Sequence, residues 1–228
     1  MMADIEHNLG KLLSRIRELE LLYGRTPGSV KLLAVSKTRT VEEIKSAMAC
    51  GQYHFGENYM QEALAKIRAI NNPRITWHFI GPIQANKTGP VAEHFSWVHS
   101  IDRLKIARRL NAMRPPDKPP LNFCIQLNIS HEQTKSGISP ERLSEFLAAL
   151  GEFPRLRLRG LMTMPELTDD FQTQRHSFRK LYEYYTHLNN DDLSMDTLSM
   201  GTTTDMEAAI AEGATVLRIG TAIFGPRK

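Results

Sequence analysis

Short apolar segments alternate with longer amphipathic ones along nearly the whole chain, and this alternation narrows the choice of fold more than any other feature. The apolar runs are KLLAVSK (31–37), YHFGEN (53–58), TWHFIG (76–81), WVHSI (97–101), LNFCIQLNI (121–129), LRLRGLMTM (156–164), TLSMG (197–201) and TVLRIG (215–220). The segments between them carry apolar residues at helical spacing. An opening helix over about 3–24 puts Ile5, Leu9, Leu12, Leu13, Ile16, Leu19 and Tyr23 on one stripe. Thr40 with Glu43 and Thr204 with Glu207 have capping-box spacing, and Gly51 and Gly213 suit the stops of those two helices. Ser139 before Pro140 reads as another helix start, and a long helix spans about 169–189. Strands that alternate with helices favour a parallel sheet. Eight of them point to a closed (β/α)8 barrel, although an open doubly wound sheet satisfies the same count. The leading helix would cover the barrel bottom or close the ring. The 228 residues suit one such domain, 1–228.

Composition excludes several classes. With 41% hydrophobic and 24% charged residues, the chain is neither disordered nor fibrous. Cys50 and Cys124 are its only cysteines, and no Cys-x-x-Cys pair exists, which removes a thiolate metal site. The histidines, among them His54, His78, His94 and His99, lack metal-ligand spacing, and no metal is expected. The charged N-terminus has no signal-like apolar core, and no membrane-length run occurs, so a cytoplasmic protein without a membrane partner is expected. A net charge of +4 is mild, and Arg155, Arg157 and Arg159 read as a solvated face, so no nucleic-acid partner is expected.

Functional residues of a β/α barrel gather at the carboxyl ends of its strands. The ends here offer Ser36, Lys37, Glu57, Asn58, His78, Gly81, Asn128, Met162, Thr163, Ser199 to Thr203, Arg218 and Gly220. Lys37 stands out, because a lysine buried at a barrel mouth has a lowered pKa and becomes a nucleophilic amine. A solvated strand-end lysine is the plainer alternative. SMGTTTD (199–205) and RIGTAIFG (218–225) follow the seventh and eighth strands, where barrel phosphate sites form. Free backbone N–H groups there favour an anion, and the hydroxyls of Thr202, Thr203 and Thr221 would add donors. A helix cap and a tight turn account for the same residues. Arg218 lies within an apolar strand and needs a partner, whether a ligand or a carboxylate.

The segments AVSKT (34–38), HFGENYMQE (54–62), WHFIGPIQANK (77–87), LRGLMTM (158–164), LSMGTTTDMEAAI (198–210) and VLRIGTAIFG (216–225) together resemble the YggS/PROSC family of pyridoxal phosphate homeostasis proteins. That family is similar in fold to the N-terminal barrel of alanine racemase, a fold-type III pyridoxal 5′-phosphate (PLP) protein. The resemblance implies PLP as cofactor, held as an internal aldimine on Lys37. It also implies that Arg218 faces the pyridine nitrogen, that Ser199–Thr203 and Gly220–Thr221 hold the phosphate, and that Asn58 lines the pocket near the ring. Where the family reads SMGMS, this chain reads SMGTT: Thr203 keeps the hydroxyl, and Thr202 replaces a methionine. An arginine at the ring nitrogen disfavours ring protonation and weakens the electron sink that PLP catalysis needs. The chain ends at Lys228, a few residues past the eighth strand, which leaves no room for the racemases' second domain. The implied role is a monomeric protein of vitamin B6 homeostasis that holds PLP without substrate turnover, with apo PLP-dependent enzymes as recipients. A racemase-like enzyme is the alternative.

Overall fold

All eight apolar runs form strands, and the strands close on one another. The structure is a computed structural model, and it describes residues 4–129, 136–189 and 193–226. The strands are β1 (Lys31–Val35), β2 (His54–Glu57), β3 (Thr76–Phe79), β4 (Trp97–Ile101), β5 (Leu121–Leu127), β6 (Leu156–Thr163), β7 (Thr197–Ser199) and β8 (Val216–Ile219). They pair in sequence order, every pair parallel, and β8 pairs with β1. Closure leaves no sheet edge unpaired, and the open doubly wound alternative is ruled out.

The outer helices are α1 (Ile5–Leu22), α2 (Val41–Ala49), α3 (Met60–Ile70), α4 (Thr88–His94), α5 (Leu104–Met113), α6 (Leu143–Ala148), α7 (Phe171–Leu188) and α8 (Met206–Ala211). The expected start of the first helix, at Ala3, lies outside the described residues. A further short helix, α9 (Thr221–Phe224), follows β8. Helix α1 packs on α2, α8 and α9, so it closes the ring of outer helices and does not cover the bottom. Its buried stripe of Ile5, Leu9, Leu12, Ile16 and Leu19 faces that contact. Between sheet and helices the core is aromatic in places. Phe55 meets Trp77 at 5.9 Å, and Phe79 meets Phe95 edge-on at 5.3 Å. Each such ring contributes about 1.5–3 kcal/mol of burial.

The caps are partly as expected. Thr40 and Glu43 form the full capping box of α2. Gly51 (φ 87°) and Gly213 (φ 94°) occupy left-handed positions after α2 and α8. Thr204 does not cap α8. Asp205 stands at the cap position without a side-chain cap bond, because its carboxylate accepts instead from the Thr202 N–H and hydroxyl. Ser139 precedes Pro140 at the start of a 3-10 turn and makes no side-chain cap bond.

The link from α1 to β1 is tied down by one carboxylate. Glu20 is fully buried and accepts from the backbone N–H groups of Gly28 and Val30 and from Arg17. Burial opposes its ionisation, but these donors outweigh burial and hold its pKa below the ordinary value. Its contribution is therefore complete above the unfolded glutamate pKa of about 4.3 and is lost as pH falls through the lower folded value. Glu20→Gln should cost about 1–3 kcal/mol at neutral pH. Urea melts from neutral to acid pH should show the gap to wild type closing on the acid side.

Candidate functional site

Lys37 lies one residue beyond Ser36, whose N–H continues the β1 ladder by donating to the Gly56 carbonyl at 3.0 Å. The lysine is half-buried, and the backbone on both sides of it is held. On one side, Lys66 Nζ from α3 donates to the Ser36 carbonyl at 2.6 Å. On the other, the Thr38 N–H donates to Glu62 Oε1 at 2.5 Å. Thr38 sits at φ 62°, a left-handed conformation that a β-branched residue rarely adopts without compensation. Lys66 also pairs with Glu57 at 2.8 Å and with Glu62. The Ser36 hydroxyl donates to Glu57 Oε1 at 2.5 Å. Burial pushes the Glu57 carboxyl up against the opposing pull of Lys66 and Ser36, and its Oε2 is buried with no partner. The spacing of Glu62 and Lys66 is the i, i+4 pair of a helix face. That was the available signal for this cluster, and sequence reading passed it over.

Arg218, on β8, is buried inside the barrel. Among the described residues no carboxylate pairs with it, so the carboxylate alternative is not met there. Its Nη1 donates to the Ser199 carbonyl at 2.5 Å and to Ser199 Oγ at 2.9 Å, and its Nη2 donates to the Thr163 carbonyl at 2.8 Å. Burial lowers its pKa to about 10, with Asp205 opposing the shift, so the guanidinium keeps its charge at neutral pH. Three of the five guanidinium N–H groups are used in these bonds, leaving two for a ligand.

Ser199 also meets His99 Nδ1 at 2.7 Å. From there a file of imidazoles crosses the barrel: His99 Nε2 to His78 Nδ1 at 2.9 Å, then His78 Nε2 to His54 Nδ1 at 3.1 Å. Burial and the charge of Arg218 lower the His99 pKa to about 3. Burial and the neighbouring histidines hold His78 well below its usual value. The file is neutral at physiological pH. His78 therefore belongs to the interior and not to the carboxyl mouth, where the sequence alone had placed it. Among the described residues no group of three or more histidine, cysteine or carboxylate side chains is placed to hold a metal ion.

The two candidate phosphate loops come together. Thr203 Oγ1 accepts from the Ala222 N–H at 3.4 Å, which bridges them. The backbone N–H groups of Thr203 and Thr221 meet no acceptor among the described residues. Gly201 takes φ 92°, and a Cβ there would lie 2.6 Å from Ala209 Cβ. Thr202, in the position that departs from the family pattern, spends its hydroxyl on Asp205 at 2.8 Å. Ser199 does not face these loops; its hydroxyl is taken by Arg218 and His99. Gly220 starts α9, where its carbonyl accepts from Ile223 and Phe224. Asn58 has a buried Oδ1 without a partner. Gly81 packs against the Asn58 backbone so closely that a Cβ would lie 2.3 Å from its carbonyl oxygen.

These features fit PLP. Two unused guanidinium N–H groups, two free backbone N–H groups with a hydroxyl beside them, and an unpartnered amide oxygen match a ring nitrogen, a phosphate and a ring hydroxyl. Comparison with known proteins agrees. The family model for the alanine racemase N-terminal domain matches residues 7–228. A pyridoxal phosphate homeostasis protein of Pseudomonas aeruginosa is 53% identical over 99% of this chain and 97% of its own. One from Escherichia coli K12 is 50% identical over 99% and 98%. PipY of Synechococcus elongatus, solved with PLP bound, superposes with a TM-score of 0.85 at 33% identity, covering 97% of this chain and all of its own. Full-length kinship at this level means that the chain belongs to the alanine racemase N-terminal domain family, among the pyridoxal phosphate homeostasis proteins.

Proposed function

We propose that this single-domain protein binds PLP at the carboxyl mouth of the barrel through Lys37 and serves PLP homeostasis in the cytoplasm, holding the cofactor without turning over a substrate. The observation that carries this reading is the clamp on Ser36 and Thr38. It fixes the backbone on both sides of Lys37 with a buried ion cluster, a costly arrangement for a lysine with no task. Relatives of full length named for PLP homeostasis support it, as does PipY with its PLP. No described helix is long and apolar enough to cross a membrane.

Bound PLP supplies an aldehyde for an amine and a pyridine ring that withdraws electrons. Lys37 offers the amine. The N–H groups of Thr203 and Thr221, with the Thr203 hydroxyl, bind the phosphate, and Gly220 lets the loop pass close to β1, where a Cβ would lie 3.2 Å from the Val35 carbonyl oxygen. Asn58 meets the ring substituents. Ser199 acts through Arg218, holding the guanidinium in place toward the ring nitrogen. Arg218 keeps its proton at neutral pH and cannot hand one to that nitrogen, so the ring stays a weak electron sink. That charge favours holding the cofactor over turning over a substrate.

Three outcomes test this reading. The protein mixed with PLP should absorb near the visible edge, and borohydride followed by peptide mapping should leave a pyridoxyl group on Lys37. Glu62→Gln, which loosens the Thr38 anchor but leaves the Glu57–Lys66 pair, should fold normally and weaken PLP retention about tenfold, the loss of one charged hydrogen bond. The loaded protein should catalyse no Cα deuterium exchange of L-amino acids in D2O, and should reactivate an apo PLP enzyme faster than free PLP at the same concentration.

A further inference from the structure

At the end of the barrel opposite Lys37, a cavity of about 460 Å3 opens among the first residues of the strands, lined in part by Lys31, His54, His78, Trp97, Asp196 and Thr215. Barrel active sites lie at the other end, so this cavity is separate from the mouth that carries Lys37. Its size falls within the range of small-molecule pockets, about 300–1,000 Å3.

The hydrogens of the histidine file give the cavity a chemical sense. Ser199 Oγ accepts from Arg218. Among the described residues, the Ser199 hydroxyl hydrogen has one acceptor, His99 Nδ1. A proton on that nitrogen would strand the hydroxyl hydrogen in the core. His99 is therefore protonated on Nε2 and donates to His78 Nδ1; His78 donates from Nε2 to His54 Nδ1. His54 is left with its hydrogen on Nε2, and no acceptor meets it among the described residues.

The other lining groups point the same way. Arg159 is engaged by Asp196 and Asn122 and lies over the Trp97 ring at 4.8 Å. Asp196 and Arg159 offset each other, which leaves Lys31 as the uncompensated charge of the lining. Thr215 Oγ1 accepts from the Leu198 N–H at 2.8 Å and keeps its own hydrogen to donate. An ammonium, an imidazole N–H and a hydroxyl are donors for one anion, and Leu33, Val216 and Trp97 supply apolar wall.

We infer that the amino-terminal mouth of the barrel is a second small-molecule site, for an organic monocarboxylate with an apolar body, whose occupancy holds the histidine file in the hydrogen order that lets Ser199 grip Arg218. The carboxylate accepts from His54 Nε2 and pairs with Lys31. The site stands whether or not Lys37 holds a cofactor.

Benzoate is the probe, titrated into the full chain with and without PLP. It should quench tryptophan fluorescence saturably, and at saturation long-range proton–nitrogen spectra should show His54, His78 and His99 all as the Nε2–H tautomer. Lys31→Met should weaken benzoate about tenfold or more, and Lys31→Arg should retain it. Benzamide, with the same ring and no charge, should bind wild type as weakly as benzoate binds Lys31→Met. Shifts that never saturate, equal affinity for benzoate and benzamide, or a bound form with His99 protonated on Nδ1 would overturn the proposal.

Discussion

A guanidinium inside a barrel of apolar strands is the constraint on which the rest of this structure turns. Among the described residues Arg218 has no carboxylate partner, and its charge is met by fixed dipoles: the carbonyls of Ser199 and Thr163 and the Ser199 hydroxyl. Those groups come from the carboxyl ends of β7 and β6, the two strands that precede β8 in the sheet. The same cation and the same burial keep His99 neutral, which makes the imidazole file a hydrogen-bonded chain and not a cluster of charges. Toward the amino-terminal end, burial and Lys31 take over that role at His78 and His54.

The second buried cation is handled differently. Lys66 sits behind the barrel wall between α3 and the strands, and two carboxylates and a carbonyl surround it. Pairing with carboxylates neutralises it, whereas Arg218 keeps its full charge for the mouth. A cation held between two carboxylates suits a clamp, because the two pairs fix its position. An uncompensated guanidinium suits a binding group, because its two remaining N–H donors retain their pull on a ligand.

Much of the architecture was legible in the linear chain. All eight strands lie within their apolar runs, and the closed parallel topology follows from strict alternation with helices. The capping box of α2 and the left-handed glycines after α2 and α8 were readable because each depends on neighbours three or four residues away. Thr204 was misread as a cap because the loop before α8 gives its donors to Asp205, a preference set by how β7, β8 and α8 meet. Ser199 was assigned to the phosphate loop by its place in the motif, yet strand alternation turns it inward beside Arg218.

The sequence by itself determined the order and type of the elements, the barrel as the leading fold, and which strand ends carry Lys37, Asn58, Thr203, Arg218, Gly220 and Thr221. Local periodicity and turn chemistry are encoded in adjacent residues, so no tertiary information is needed to read them. Only the tertiary structure decided who partners whom: Lys66 with Ser36 and Glu57, Ser199 with Arg218, and His54 with His78 and His99. Those residues sit on different elements, and the pairing of neighbouring strands with the packing of α3 beside them brings them within hydrogen-bond reach. Burial, which sets the protonation of Glu57, His99 and Arg218, likewise exists only once the barrel has closed.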